Sequence, residues 1–218
     1  MVDIVIATRN AHKLRELAGL LGVRGIRWRS LAEFPRVGRL REAGRTFDAN
    51  AASKARAVAR ATGLLALADD SGIEVEGLGG APGVRSARFA GAHGDDRANN
   101  EKLLRLLRGV PVARRSARYR CSLVLASPSR VLAIARGAWR GRVADAPKGA
   151  GGFGYDPIIW IPGRGKTVAQ LPAAIKQRLS HRAMAARRMR MILQRLARAS
   201  GRRRTAPAKG RRAPGRVV

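Results

Sequence analysis

Short apolar runs alternate with helical patterns along the chain, an order that predicts an α/β protein. Residues 2–7 form an apolar, β-branched run that is typical of a buried strand. The apolar positions that follow recur at helical spacing, which indicates an amphipathic helix that ends near Gly22. These positions are Leu14, Leu17, Ala18 and Leu21. The start of the chain is therefore predicted to be a strand–turn–helix unit.

The middle of the chain predicts a second helix followed by strands. Thr46 can cap a helix that ends at Gly63, and residues 64–68 then form an apolar strand. Residues 26–45 are predicted to be irregular with a short helix, and residues 77–83 to be a loop rich in glycine and proline. The other predicted elements are strands at 119–126, 131–138 and 158–161, the first two as a hairpin, and helices at 99–107 and 179–196.

The composition permits a folded core and gives the chain a very high positive charge. Of the 218 residues 45% are hydrophobic, which excludes global disorder, and the formal net charge is +31. We expect one domain over residues 1–199 and a basic, disordered tail over residues 200–218, which lack periodicity. The charge favours phosphate-bearing partners, although a general compositional bias toward Arg and Ala is an alternative source of it.

Neither a disulfide nor a membrane-spanning segment is expected. Cys121 is the single cysteine and lies in an apolar run, so it is predicted to be a buried structural thiol. No stretch of the sequence is apolar for long enough to span a bilayer. A cytoplasmic protein without membrane contact is the expectation.

The first candidate site follows the first predicted strand. The free N–H groups at a helix N-terminus favour an anion, and the side chains of Thr8, Asn10 and Lys13 can add hydrogen bonds and charge. This is the equipment of a triphosphate-binding loop, although the Walker pattern is absent. The alternative is a capped helix with a surface lysine.

Three carboxylates form the second candidate site. Glu42, Asp69 and Asp70 stand among many bases, and Mg²⁺ needs only one or two carboxylates when substrate phosphates complete its ligands. A carboxylate at the metal can accept the proton of an attacking water, and of the pair we favour Asp70 for this role. The alternative, which is expected for one of the two aspartates, is a structural carboxylate that caps a turn at Gly72.

An aromatic, glycine-rich segment forms the third candidate site. Residues 151–157 read Gly-Gly-Phe-Gly-Tyr-Asp-Pro, and a flat ring between flexible glycines suits stacking on a nucleobase. Lys176, His181 and Arg182 follow near the start of the last helix, and the donors of Lys and Arg favour a base with a keto oxygen. The alternative is that His181 and Arg182 only cap and solvate a helix.

In this order the segments closely resemble the inosine triphosphate pyrophosphatase family, also described as dITP/XTP or non-standard purine NTP pyrophosphatases. The resemblance extends from residue 2 to about residue 196 and rests on the motifs at 6–16, 46–55, 68–72, 79–83, 151–157, 165–167 and 180–182. It implies an elongated two-lobed α/β fold with a long mixed central β-sheet, flanking helices and an active-site cleft between the lobes. It also implies a homodimer.

The resemblance further implies Mg²⁺-dependent hydrolysis of ITP, dITP and XTP between the α and β phosphates, which cleanses the nucleotide pool. Glu42 and Asp70 would bind the metal, with Asp70 as the general base. The implied substrate-binding residues are Thr8, Arg9, Asn10, Lys13, Lys54, Ser71, Phe153, Gly154, Tyr155, Asp156, Lys176, His181 and Arg182.

The hydrogen-bond donors of the implied base pocket predict selectivity for keto purines over adenine. Adenine would place an amino donor against the pocket's donors where hypoxanthine places a keto oxygen, at a cost of about 1–3 kcal/mol.

A second hypothesis is a nucleic-acid-binding protein or, in a weaker form, an enzyme that contacts nucleic acid through its basic tail. A third is a related pyrophosphatase that acts on modified pyrimidines.

Overall fold

The computed structural model describes the backbone of residues 1–205 and the side chains of this part except those of residues 11, 12 and 200–205. The strands are β1 (Val2–Ile6), β2 (Ile26–Ser30), β3 (Leu65–Val75), β4 (Pro82–Gly83), β5 (Ser116–Ala126), β6 (Val131–Val143), β7 (Ile159–Ile161) and β8 (Lys166–Thr167). The α-helices of this part are α1 (Ala11–Leu20), α2 (Phe47–Thr62), α3 (Asp96–Leu106), α4 (Ala173–Leu179) and α5 (His181–Thr205).

A mixed sheet of eight strands organises the molecule. The strand order is β2-β1-β3-β5-β6-β7-β8, and the short β4 pairs with β3. β1 pairs in parallel with both β2 and β3, whereas β3, β5 and β6 form antiparallel pairs. The predicted α/β class with a mixed central sheet and flanking helices is confirmed, and so is the hairpin of β5 and β6. The two lobes and the cleft between them stay predictions.

Helices cover both faces of the sheet. α1 and α5 pack against one face around Leu17, Leu67 and Met189, and α2 packs against the other through Ala55 and Val58. A third apolar cluster lies toward β7, where α3 contributes its leucines. These are the periodic faces that the sequence predicted, because each helix buries one apolar stripe.

The ends of α2 follow from the residues that flank it. The side chain of Thr46 accepts a hydrogen bond from the N–H of Ala49, and Gly63 adopts a left-handed conformation with φ 71°. These are the expected N-cap and C-terminal glycine.

Two elements differ from the pattern-based prediction. Residues 26–30 form β2 instead of an irregular passage, because they pair with β1 from Val2 to Ile6 and Trp28 packs against the core. The last helix is two helices, since Ser180 is extended (φ −63°, ψ 156°) and separates α4 from α5. The hydroxyl of Ser180 accepts from the N–H of Ala183 and so caps the first turn of α5.

The remaining expectations concern Cys121, membranes and the tail. Cys121 is buried and is not in a disulfide, and burial raises the pKa of its thiol to about 12. None of the described helices combines the length and apolarity that crossing a bilayer requires. The predicted tail starts within α5, which continues to Thr205, and residues 206–218 lie outside the described residues.

Candidate active site

Asp69 and Asp70 lie in the middle of β3 and not at a strand end, which corrects the predicted turn. β1 pairs with β3 only as far as Leu67, whereas β5 pairs with β3 up to Val75. The β1 side of β3 is therefore free of strand pairing at the two aspartates. Gly72 belongs to the strand, and a Cβ there would lie 2.4 Å from Oγ of Ser86, so the glycine allows a close approach.

The carboxylate of Asp69 is held by cations. Its Oδ2 lies 3.1 Å from Nζ of Lys13 and 3.8 Å from Nη2 of Arg182, and it accepts a hydrogen bond from Oγ of Ser71 at 3.2 Å. Burial acts to raise the pKa of Asp69, but the positive charges of Lys13 and Arg182 lower this pKa by more than burial raises it. The resulting pKa is far below the ordinary value of an aspartate. Asp69 is therefore a permanent anion that organises its neighbours.

The carboxylate of Asp70 has different neighbours and a different protonation behaviour. Its Oδ1 accepts a hydrogen bond from Nζ of Lys54 at 3.0 Å, and its Oδ2 accepts one from Nδ2 of Asn50 at 3.1 Å. Burial raises the pKa of Asp70, the negative charge of Glu42 adds to this, and Lys54 opposes it without cancelling it. A buried carboxylate with a raised pKa is suited to accept a proton.

Glu42 faces Asp70 across the same ammonium group. Its Oε1 accepts from Nζ of Lys54 at 2.6 Å, and Oε2 accepts from Nη1 of Arg88 at 3.3 Å. Burial would raise the pKa of Glu42, but Lys54 and further cations lower it below the ordinary value. Glu42 and Asp70 thus share one cation, and their pKa values move in opposite directions.

This pair of carboxylates fits a Mg²⁺ ion that is bound together with a triphosphate. Two oxygen ligands from protein, with phosphate oxygens and water as the others, are the usual environment of this ion. Among the described residues no group of three or more His, Cys, Asp or Glu side chains could hold a metal by itself. An ion at Glu42 and Asp70 would therefore take its other ligands from water or from the phosphates of the substrate.

The loop between β1 and α1 caps the helix, and the first turn of this helix carries Lys13, which binds Asp69. Asn10 caps α1 by accepting from the N–H of Lys13 at 3.0 Å, and Oγ1 of Thr8 accepts from the N–H of Asn10 at 3.2 Å. The guanidinium of Arg9 donates to the carbonyl of Val37 at 2.7 Å. The helix-capping alternative is thus present in the structure, and Lys13 still reaches Asp69.

The aromatic segment surrounds Asp156. The Oδ2 of this buried carboxylate accepts from Nζ of Lys176 at 2.6 Å and from the N–H of Phe153 at 3.0 Å. The ring of Phe153 lies below two cations, 4.4 Å from Nζ of Lys176 and 5.5 Å from Cζ of Arg182. The structure therefore brings the glycine-rich segment and the two basic residues into one cluster.

Glu16 links this cluster to the first loop. Its carboxylate accepts a hydrogen bond from Nη1 of Arg182 and lies 3.2 Å from Nζ of Lys176. Arg182, which is 2% exposed, donates its other Nη to Oγ of Ser71 at 2.9 Å. Arg182 thus contacts all three segments and is not a solvated helix residue, as the alternative had it.

A model of the Ham1 family matches residues 4–192. The chain belongs to the Ham1 family. A dITP/XTP pyrophosphatase of Geobacillus kaustophilus is 49% identical over 85% of this chain and 91% of its own length. Another, of Desulforamulus reducens, is 49% identical over 89% of this chain and 97% of its own length. The solved HAM1 protein of Coxiella burnetii superposes with a TM-score of 0.83 at 39% identity, covering 89% of this chain and 100% of that chain.

Every candidate residue lies inside the Ham1 match, which confirms the family that the motifs indicated. Tyr155 and Gly154 anchor the aromatic segment of this Ham1 chain. The hydroxyl of Tyr155 donates to the carbonyl of Ser86 at 2.8 Å, and the Gly154 peptide donates to Asp96 at 2.6 Å and accepts from Asn100 at 3.0 Å. α3 therefore fixes the loop that carries Phe153.

Sequence reasoning missed several side chains that hold this Ham1 site together. Asn50 is one turn before Lys54 on α2, and this spacing places both on the face toward Asp70. Glu16 and Asn50 both lie in motifs on which the resemblance rests, so their positions carried a signal. Arg88 carried none, because it is one arginine among very many.

Proposed function

We propose that this Ham1-family chain hydrolyses non-standard purine nucleoside triphosphates, namely ITP, dITP and XTP, to the nucleoside monophosphate and pyrophosphate. The observation that carries the proposal is the sharing of Lys54 by Glu42 and Asp70, two carboxylates with oppositely shifted pKa values. The relatives named dITP/XTP pyrophosphatases support the reaction and the substrate class.

Asp70 is the general base of the proposed reaction. Its raised pKa gives it a higher affinity for the proton of an attacking water than an ordinary aspartate has. Asn50 holds Oδ2 and Lys54 holds Oδ1, so the orientation of the carboxylate is set before the substrate binds. A water placed against Asp70 would attack the α-phosphorus.

Lys13, Lys54 and the first loop neutralise the phosphates. Both ammonium groups are bound to carboxylates in the structure, and a triphosphate would offer them further oxygen acceptors. Thr8, Arg9 and Asn10 lie in the loop between β1 and α1 and would add hydrogen-bond donors to the phosphates. Mg²⁺ held by Glu42 and Asp70 would offset the charge on the phosphate oxygens and polarise the bond that breaks.

The base pocket selects by its hydrogen-bond donors. Lys176 and Arg182 are donors only, and both are fixed by carboxylates around Phe153. Burial, with the charges of Arg182 and Lys176, lowers the pKa of His181 well below its ordinary value, so its imidazole is neutral at pH 7. At position 6 a keto purine gives these donors an acceptor, whereas adenine presents an amino donor there.

The setting of the enzyme is part of the same proposal. The family resemblance supports a homodimer, and the composition of the sequence favours a cytoplasmic location. The high net charge favours a weak, salt-sensitive contact with nucleic acid through the basic tail. Deletion of residues 201–218 should weaken retention on immobilised DNA without a change in turnover, and equal retention would contradict the tail hypothesis.

Product analysis tests the proposed function directly. Purified protein with Mg²⁺ is incubated separately with ITP, dITP, XTP, ATP, GTP, dTTP and a modified pyrimidine triphosphate, and the products are separated by chromatography. We expect monophosphate and pyrophosphate from the first three, with little from the others. Preferential cleavage of a modified pyrimidine triphosphate would favour the third hypothesis, and absence of turnover in a folded protein would contradict the proposal.

A further inference from the structure

Tyr119 contacts two residues of the proposed base pocket, although the resemblance does not imply it as a site residue. It lies on β5, is 6% exposed and pairs across the sheet with Trp139 of β6. Its side chain reaches two residues of the pocket on different segments, Asp156 and His181. This double contact is the basis of the inference.

The hydroxyl of Tyr119 holds the pocket carboxylate. It donates to Oδ1 of Asp156 at 2.9 Å, whereas Lys176 and the N–H of Phe153 both bind Oδ2. Tyr119 is thus the partner that fixes the second oxygen and with it the rotation of the carboxylate plane. Burial and the charge of Asp156 raise the pKa of Tyr119 well above its ordinary value, so the hydroxyl remains a donor at neutral and alkaline pH.

The ring of Tyr119 holds the imidazole of His181. The ring centroids are 4.8 Å apart and the planes are inclined by 6°, which is a stacked arrangement. Nδ1 of His181 is buried and has no hydrogen-bond partner among the described residues. The stack with the ring of Tyr119 therefore orients the imidazole of His181 in place of a hydrogen bond at Nδ1.

We propose that Tyr119 is a positioning residue for base selection, with its hydroxyl setting Asp156 and its ring setting the plane of His181. The inference rests on the proposed function and adds to it the residue that couples the two sides of the base pocket. Tyr119 has no hydrogen bond to Asp70, Glu42 or Lys54 in the structure. Its loss is therefore expected to affect the choice and binding of the base more than the chemical step.

The test is Tyr119→Phe, which removes the hydroxyl and keeps the ring. For wild type and variant, kcat and KM are measured with ITP and with ATP, and the melting temperature is recorded. We expect the ratio of kcat/KM for ITP to that for ATP to fall about tenfold, as for the loss of a hydrogen bond to a charged group. The change should be mainly in KM for ITP, with kcat within about twofold of wild type.

Two further variants separate positioning from a general structural role. Thr62→Val is the matched control, because it removes a hydroxyl that donates to a carbonyl at 2.8 Å on α2, outside the pocket. It should leave the ITP-to-ATP ratio unchanged. In an Asp156→Ala background, Tyr119→Phe should have little additional effect on the ratio, since its hydroxyl acts through Asp156.

Each outcome decides between the inference and the proposed function. If the wild type cleaves ITP and Tyr119→Phe keeps its selectivity, or loses it equally in the Asp156→Ala background, the inference is wrong and the proposed function stands. If Tyr119→Phe is too unstable to assay, Tyr119 is a core residue and the inference is likewise wrong. If the wild type cleaves no purine triphosphate, the proposed function fails and the inference with it.

Discussion

Asp69 and Asp70 are consecutive residues of β3, yet Lys13 of α1 binds the first carboxylate and Lys54 of α2 binds the second. Successive side chains of a strand point to opposite faces, and different helices cover the two faces here. One aspartate consequently has a lowered pKa and the other a raised one. This separation of two adjacent acids leads to the first three predictions.

Replacement of Asp70 by Asn should remove turnover and preserve the fold. The amide cannot accept the proton of the attacking water, and loss of a general base costs about 10²–10⁴-fold in rate. We expect Mg²⁺-dependent pyrophosphate release from ITP to fall by this amount while the circular dichroism spectrum is retained. Asp145→Asn is the matched control, because Asp145 is an exposed acid paired with Arg115 outside the site. An active Asp70→Asn enzyme would refute the assignment of the base.

The pH profile of kcat/KM should report the raised pKa of Asp70. The base must be ionised to act, so activity falls as the pH decreases through its folded-state pKa. Burial places this pKa above the ordinary aspartate value of about 3.9. Mg²⁺ bound to Asp70 would lower this pKa, so the acid limb is measured with ITP at the lowest Mg²⁺ concentration that supports turnover, where it should lie above that value. A limb at or below it under this condition would show that burial does not control this group.

Asp69 should contribute stability that is lost in acid. Its folded-state pKa is lowered, so the contribution is fully present above the unfolded value of about 3.9 and decreases as the pH falls below it. Asp69→Asn leaves Lys13 and Arg182 without their buried acid, at a cost of about 3–5 kcal/mol at pH 7. Urea unfolding at pH 7 and pH 3 measures this. An equal loss for the variant at both pH values would argue against the ion pairs.

Lys54→Met should make the protein more responsive to Mg²⁺. Removal of the ammonium leaves Glu42 and Asp70 without the cation that they share, and of the two only Glu42 keeps an ion pair with a described residue, Arg88. Loss of one partner of a buried pair costs about 3–5 kcal/mol. A divalent ion bound to the two carboxylates would restore part of this stability. We expect a larger Mg²⁺-induced rise of the melting temperature in the variant than in the wild type. No difference between them would contradict a metal site at these residues.

Gly137→Ala should damage the start of α5. A Cβ at this position of β6 would lie 2.0 Å from the carbonyl oxygen of His181, so the helix must move away from the sheet. Overpacking of this kind costs about 1–3 kcal/mol, and here it also displaces His181 and Arg182. Gly19→Ala is the control, because a Cβ added at Gly19 of α1 would have no neighbouring atom of the described residues within 4 Å. We expect the control to gain up to about 1 kcal/mol in urea unfolding.

The periodicity of the sequence determined the class of fold and most of its elements. α2 begins after Thr46 and ends before Gly63 as predicted, and β5 and β6 form the predicted hairpin. Caps, glycines and apolar spacing are local signals, so they can be identified without knowledge of distant contacts. β2 was missed because the strand is stabilised by its pairing with β1, which is a contact between distant parts of the sequence. Its own five residues include two arginines and do not by themselves indicate a strand.

The sequence by itself also determined which residue types were available to a site, through the motifs at 6–16, 68–72 and 151–157. Only the tertiary structure decided their partners. Lys13 binds Asp69 across two segments, Arg182 contacts Glu16 and Ser71 from the far end of the chain, and Tyr119 joins Asp156 to His181. Such contacts depend on sheet order and on which face a strand residue presents, and both are set by long-range packing. For the same reason the sequence did not show that the two aspartates lie in the middle of β3. At this point β3 still pairs with β5, whereas its pairing with β1 has already ended.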